Sequence, residues 1–425
     1  MDLSSHHRSF FNNPYALTPT HWYRFLRNVY QADKWRELIS YLRWEIKHRL
    51  GLFQTNRYLT FTDHTPVFLN SSSDSVDTIT SVRIRKALHP WRMRLQNSSG
   101  QVWGCLFGND FSLYSLSDVN HSIHICYQFT HPIQSIYLSA RSHLYVCCQG
   151  QLYRSTDKGK SFEQVLTLSS TSSYFLFNNG MTELPDGRLL LGEYGVVREQ
   201  KSWQNLAHVY YAANEGQAWQ KTDFLIRDGV NKHVHLVKYS LFLNALILTD
   251  GDNKKQIWCN RSLSRLDQAA NGQNDGWHRL NKSHYQMGGY LSMTELNGTV
   301  FLGSDYLGGT NFLVTTQDGS VFTKQVIPDP YRRSPVMDIV RRKQTNGQVE
   351  LWAVLHNSIA SSTRSLLMVS ADNGLSWRKI IDYDGTTHEI KLVSSSARLI
   401  DELYFVVITQ KGGHSSQSVF VVSDN

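Results

Sequence analysis

Two kinds of hydrophobic spacing divide this chain near residue 55. Ahead of that point, Trp22, Phe25, Leu26 and Val29 recur at i, i+3, i+4 and i+7, the stripe of an amphipathic helix. Thr18 is placed to cap this helix, and Pro19 suits its first position, where a missing N–H costs nothing. A second helical stretch opens at Asp33, sets Trp35, Leu38, Ile39, Leu42 and Ile46 on one face, and ends at Gly51. Past residue 56 the pattern changes to short apolar runs bounded by Ser, Asn, Asp and Gly, which is the pattern of strands and turns. The spacing therefore predicts a helical arm over 1–55 and an all-β domain over 56–425.

The β region repeats itself. Ser370-Ala371-Asp372-Asn373-Gly374-Leu375-Ser376-Trp377 reads S-x-D-x-G-x-x-W and follows the strand-like Ser365–Val369. Ser155–Phe162 copies it with Phe for Trp, Ala212–Trp219 keeps the glycine and tryptophan, and Thr316–Phe322 is a worn version. The Asp equivalents at 157, 214, 318 and 372 are separated by 57, 104 and 54 residues, so one more repeat belongs near 266. Echoes at Asp118 and Asp424 complete seven positions. In such a box the Asp accepts backbone N–H groups, the Gly adopts positive φ, and the aromatic packs between sheets. A period near 50 residues fits one four-stranded blade. Because the chain stops inside its last box, the final blade lacks a strand, and residues 57–70 are the expected donor that closes the ring.

These boxes resemble those of the sialidase-like, Asp-box (BNR-repeat) β-propeller superfamily, over residues 100–425. The resemblance implies an all-β Asp-box β-propeller, seven-bladed with six as the alternative, in which the boxes are structural turns. It does not extend to a true sialidase. The arginine context F/Y-R-I-P of those enzymes has its nearest match in Val82-Arg83-Ile84-Arg85, which lacks the proline.

Composition narrows the partners. The net charge of +8 favours an anion: acidic glycan, acidic lipid or nucleic acid. Nucleic acid is disfavoured because the basic residues are scattered rather than striped. Between Thr18 and Leu50 there are 7 Lys/Arg against 3 Asp/Glu, so the arm suits either docking on the propeller or an anionic membrane surface. Five cysteines without a CxxC spacing give no zinc knuckle. The N-terminus has no apolar run of signal type and no stretch approaches transmembrane length, so the expected location is cytoplasmic, peripheral to a membrane if the arm binds one. No phosphate-cradling glycine motif follows a strand.

Several segments are overspecified for plain blades. Leu189–Gly195 places Glu193 and Tyr194 at the end of an apolar strand. Asn231–Leu236 carries His233 and His235, two residues apart and so on one face of a strand. Asp252 and Asp305 end comparable strands in successive repeats, and Gln286, Arg332, Arg333 and His356 lie in neighbouring blades. An H-x-H pair is half of a metal site, so a divalent cation on His233 and His235 is one expectation; channel-lining histidines are the alternative. Glu193 is either an acid/base group or an ion-pair partner of Arg188 or Arg198. Asp252 and Asp305 also suit turns, and Arg332 and Arg333 either clamp a carboxylate or are solvated. The set loosely resembles metal-dependent propeller lyases that degrade oligogalacturonate. Their Gln-x-x-His-x-His signature is broken here by Val230.

The functional expectation is a carbohydrate-active propeller working on an acidic, uronate-type polysaccharide or oligosaccharide by hydrolysis, elimination or epimerisation. Glu193 or His235 would be the base, Tyr194 the acid, and Arg332 and Arg333 the carboxylate clamp, with Asp252, Gln286, Asp305 and His356 contacting substrate. The alternative is a non-catalytic propeller that binds a glycan or protein in polysaccharide assembly.

Overall fold

The computed structural model describes residues 18–31, 35–52, 58–71, 74, 76, 79, 83–116, 122–199, 202–203, 206–230, 232–250, 256–266, 276–280, 289–395 and 398–424. Seven antiparallel sheets follow one another as the blades of a propeller. Blade one is Trp91–Gln96, Val102–Leu106, Asn109–Leu116 and Ile123–Gln128. Blade two is Ile133–Leu138, Leu144–Cys148, Gln151–Ser155 and Glu163–Thr167. Blade three is Met181–Glu183, Leu189–Gly192, Val209–Ala213 and Ala218–Thr222. Blade four is Val234–Ser240, Ala245–Asp250, Ile257–Asn260 and Trp277–Arg279. Blade five is Tyr290–Leu296, Thr299–Ser304, Phe312–Thr316 and Thr323–Val326. Blade six is Val336–Lys343, Val349–Leu355, Arg364–Ser370 and Arg378–Asp384. Blade seven has His388–Leu392, Leu403–Lys411 and His414–Val422 from the C-terminus.

The missing fourth strand of blade seven comes from the N-terminal side, but not from where the repeat spacing placed it. Ile84–Lys86 pairs antiparallel with His414–Val422, with Ile84 opposite Val422. Of the expected donor, Arg57 lies outside the described residues, and Val67–Leu69 instead adds parallel to Arg378–Asp384 as a fifth strand of blade six. The seam at Ile84 is fixed by charge as well as by pairing. Arg83 grips Glu350 through two nitrogens, 3.0 and 2.9 Å, and reaches Asp424 at 3.4 Å. This is the arginine nearest to a sialidase context, and here it closes the ring.

The turns behave as their residues dictate. Ser155 Oγ donates to Asp157 (2.8 Å), and Asp157 accepts the backbone N–H groups of Lys160 and Ser161. Thr316–Val321 and Ser370–Ser376 repeat the arrangement around Asp318 and Asp372. Gly374 needs its lack of a side chain twice over: φ is +80°, and a Cβ would stand 2.5 Å from the Phe301 ring. In blade four the turn rests on Asn260, which accepts from Ser262 N (2.9 Å). Asp118 lies outside the described residues.

Burial follows the same plan, because seven apolar clusters lie one between each pair of adjacent blades. Blade-to-blade packing is therefore the core. The arm consists of helix α1 (Pro19–Gln31), started by Thr18, whose carbonyl accepts from Trp22 N (3.2 Å), and helix α2 (Trp35–Arg49). Asp33 lies outside the described residues. The arm is docked: Glu45 meets Arg332 and Arg333, and His48 meets Asp329 at 2.8 Å and Tyr58 at 2.9 Å.

Candidate functional site at the start of the inner strands

Inner strands of adjacent blades pack against one another, and each begins at the same end of the ring. At that end five of them carry a β-bulge after their first residue, at Trp91/Met93, Ile133/Ser135, Val234/Leu236, Tyr290/Ser292 and Val336/Asp338. A bulge adds one residue without a partner and re-aims its side chain. In blade four that extra residue is His235.

The bulge explains how two histidines come together. Strict alternation put His233 and His235 on one face, but His235 is outside the alternation. Their rings nevertheless stack at 5.0 Å with 24° between planes, and the two Nε2 atoms are 3.1 Å apart. Each is 2% exposed. Behind them, His233 Nδ1 lies 2.7 Å from the Gly195 carbonyl oxygen, and His235 Nδ1 lies 3.6 Å from Asp305 Oδ2. A carbonyl can only accept, so His233 carries a proton on Nδ1. The carboxylate likewise favours a proton on Nδ1 of His235. With its proton on Nε2, His235 donates to His233 Nε2 in a neutral pair; with its proton on Nδ1, the two Nε2 lone pairs face each other and a proton or a metal ion would fit between them.

Tyr194 covers this pair. Its ring sits 4.2 Å from His233 and 5.9 Å from His235, and Tyr174 backs it at 5.3 Å through a two-way backbone bridge. Asp305 follows the second strand of blade five, and its N–H donates to Gly289 O at 2.8 Å. Gly289 was not singled out in the sequence, yet it lets blade five approach the end of a blade-four strand: a Cβ there would stand 2.4 Å from Asp250 O, while His235 Nδ1 lies at contact distance, 3.6 Å. Its only sequence signal is the doubled glycine Gly288-Gly289. Among the described residues no group of three or more His, Cys, Asp or Glu gathers as a metal site. Asp252 and Gln286 lie outside the described residues.

Glu193 does not face this cluster as a free acid. It is fully buried and accepts from Ser169 N (3.0 Å) and from Tyr210 OH (2.8 Å). Burial, then the carboxylate, push the Tyr210 phenol far above its usual range. The residue is a brace between the blade two–three connection and blade three; of its two expected partners, Arg188 pairs with Asp186 (2.7 Å) instead, and the side chain of Arg198 lies outside the described residues.

The guanidinium pair expected to hold a substrate carboxylate holds one from the arm. Arg332 Nη1 is 2.5 Å from Glu45 Oε1, Arg333 Nη2 is 3.1 Å from Glu45 Oε2, and Arg332 also donates to Thr310 (2.8 Å). His356 follows the second strand of blade six and engages that blade's Tyr383, 3.3 Å from Nδ1 to the hydroxyl with rings stacked at 5.9 Å. Burial holds the His356 imidazole below its ordinary range. Of the residues singled out, the structure thus gathers Tyr194, His233, His235 and Asp305.

Toward the other end of the inner strands lies a concavity of about 310 Å³, with Lys238, Arg341, Arg398, Glu183 and Glu295 in its wall. Asn178 crosses here, donating to Asp338 (2.9 Å) and to Ser394 O (3.1 Å) on two other blades. Glu295 is committed to the Ser240–Phe242 turn and Glu183 to Ala140 N. Burial lowers Lys238 to about 8.

The fold matches solved propellers at low identity. Virginiamycin B lyase from Staphylococcus aureus aligns over 80% of this chain and 99% of its own, with 12% identity and a TM-score of 0.51. The extracellular domain of BT4673 from B. thetaiotaomicron aligns over 79% and 39%, with 13% identity and a TM-score of 0.50. Trypanosoma rangeli sialidase aligns over 78% and 59%, with 12% identity and a TM-score of 0.44. At these identities the likeness is one of fold. No protein-family model matches the sequence, and no curated protein matches it.

Proposed function

We propose that this chain is an Asp-box propeller that works on an acidic glycan at the end of the ring where the inner strands begin. The observation that carries the reading is the convergence of His233 Nε2 and His235 Nε2 to 3.1 Å, with Gly195 O and Asp305 behind their Nδ1 atoms. Backing each imidazole with an oxygen is how proteins orient histidines toward a cation. A divalent ion held there would polarise a bound water or acidify the C–H beside a uronate carboxylate. Tyr194, whose ring lies 4.2 Å from that of His233, is the acid in this reading, and the net charge of +8 supports an anionic substrate.

Glu193, Arg332 and Arg333 leave the reaction, since each is satisfied inside the protein. The burial of both imidazoles favours the second reading, a non-catalytic glycan- or protein-binding propeller.

The test is metal analysis of protein purified without chelator, alongside assays on polygalacturonate and alginate for unsaturated ends, reducing ends and epimerised residues. Stoichiometric metal and turnover, both lost in His233→Ala and His235→Ala, are expected. No metal, and no change to any of these polymers by the wild type, would replace catalysis with the binding reading.

A further inference from the structure

The arm turns apolar side chains outward. On α2, Trp35, Ile39, Leu42, Ile46 and, just past its end, Leu50 recur at i, i+4, i+7, i+11 and i+15. At 100° per residue they span an arc of only about 80°. All five are exposed, Ile39 by 63% and Leu50 by 65%. On α1, Trp22, Tyr23, Leu26 and Tyr30 form a second exposed set, with Tyr30 at 72%, while Phe25 and Val29 on the adjoining face are buried. Side chains of this size gain free energy when they leave water, so two stripes left exposed are costly unless something covers them.

The docking of the arm fixes which face is presented. Glu45 and His48 point at Arg332, Arg333 and Asp329, and the α2 stripe is centred roughly 100° around the helix from Glu45. Docking also changes the charge of the exposed face. Glu45 is one of the three acids between Thr18 and Leu50, and it is neutralised internally. Exposed Arg24 and Arg27 on α1, and Arg43 beside the α2 stripe, keep the outward surface basic. Among the described residues no helix is long and apolar enough to cross a membrane.

We propose that the arm rests on an anionic phospholipid surface, with Trp22, Leu26, Tyr30, Ile39, Leu42 and Ile46 entering the headgroup boundary and the arginines meeting lipid phosphate. Two short amphipathic helices with aromatic and aliphatic side chains on one face and cations beside it have the make-up of interfacial helices. A protein groove would satisfy the apolar stripes but has no need of the cationic excess.

Vesicle sedimentation of the full chain tests this. Protein should pellet with phosphatidylglycerol/phosphatidylcholine vesicles at low salt, be released at high salt, and pellet far less with phosphatidylcholine alone. Ile39→Asp/Ile46→Asp should weaken binding about tenfold or more, equivalent to roughly 1.4 kcal/mol, with an unchanged melting curve because both sites are exposed. Arg43→Glu should weaken binding to the anionic vesicles only. Protein that stays in the supernatant, or pellets equally with both vesicles, or ignores the Ile39/Ile46 change, overturns the proposal. A dimer in solution dispersed by that change, without vesicle binding, would assign the stripe to a second copy of the chain.

Discussion

Arg332 and Glu45 stand 287 residues apart in sequence and meet at 2.5 Å, with side chains 4% and 8% exposed. Removing one partner of a buried ion pair strands the other charge away from water, at a cost of about 3–5 kcal/mol. Glu45→Ala should therefore cost about 3 kcal/mol in a denaturant melt. Deleting the whole arm opens Arg332 and Arg333 to solvent, so removal of residues 1–52 should cost less than the single substitution. A truncated chain that melts below Glu45→Ala would make the helices part of the core.

Asp157 gives a pH dependence with a definite sign. Hydrogen bonds from the Ser161 hydroxyl and N–H, joined by Ser155, hold its carboxyl at about 2. An unfolded aspartate titrates near about 3.9. A depressed folded value means the contribution is complete above about pH 4–5 and is lost as pH falls toward 2. Asp372 is lowered as well, with the Ser376 and Ser370 hydrogen bonds outweighing burial. Asp157→Asn and Asp372→Asn should flatten the acid limb of a stability-against-pH curve, by a modest amount because both groups are largely exposed to screening. An acid limb of unchanged slope in the double variant would mean that the turns do not carry it.

What could be read from the sequence follows from where the constraint is local. A turn that needs Asp, a positive-φ Gly and an aromatic within eight residues writes itself into the chain, so the blade count and the turns at Asp157, Asp318 and Asp372 were legible. Ile84–Lys86 is three residues long with only Ile84 buried, and a segment that short has no alternation to read. The expected donor, nearer Val67, carries a stronger apolar run and found an open sheet edge in blade six. The gathering of Tyr194, His233, His235 and Asp305 depended on strand ends, which blade periodicity locates. The roles of Glu193 and Arg332 depended on partners 17 and more residues away, Tyr210 and Glu45, which no local pattern names.

Glu193 should then behave as a structural residue. Glu193→Gln keeps the shape and can still accept from Tyr210, but it loses a charge-assisted bond and puts an amide NH₂ against one of two donors, Ser169 N or Tyr210 OH. A loss of about 1–3 kcal/mol is expected. Any turnover, normalised to folded protein, should be retained. Full stability with abolished turnover would return Glu193 to the chemistry.

Asp305 tests the histidine pair without touching it. If its carboxylate, 3.6 Å from Nδ1, orients His235 by charge, then Asp305→Asn should weaken cation affinity by about 10–100-fold while leaving both imidazoles in place. His235→Ala should remove binding outright. Zinc or manganese titration by calorimetry on metal-stripped protein measures both. The gradation matters more than either value: a positioning residue weakens, and a ligand abolishes. Equal affinity in wild type and Asp305→Asn would leave the carboxylate as the end of a blade-five turn. Undetectable binding in the wild type, with a 3.1 Å imidazole pair intact, would mean that a hydrogen bond between the two rings, and no metal ion, joins His233 to His235.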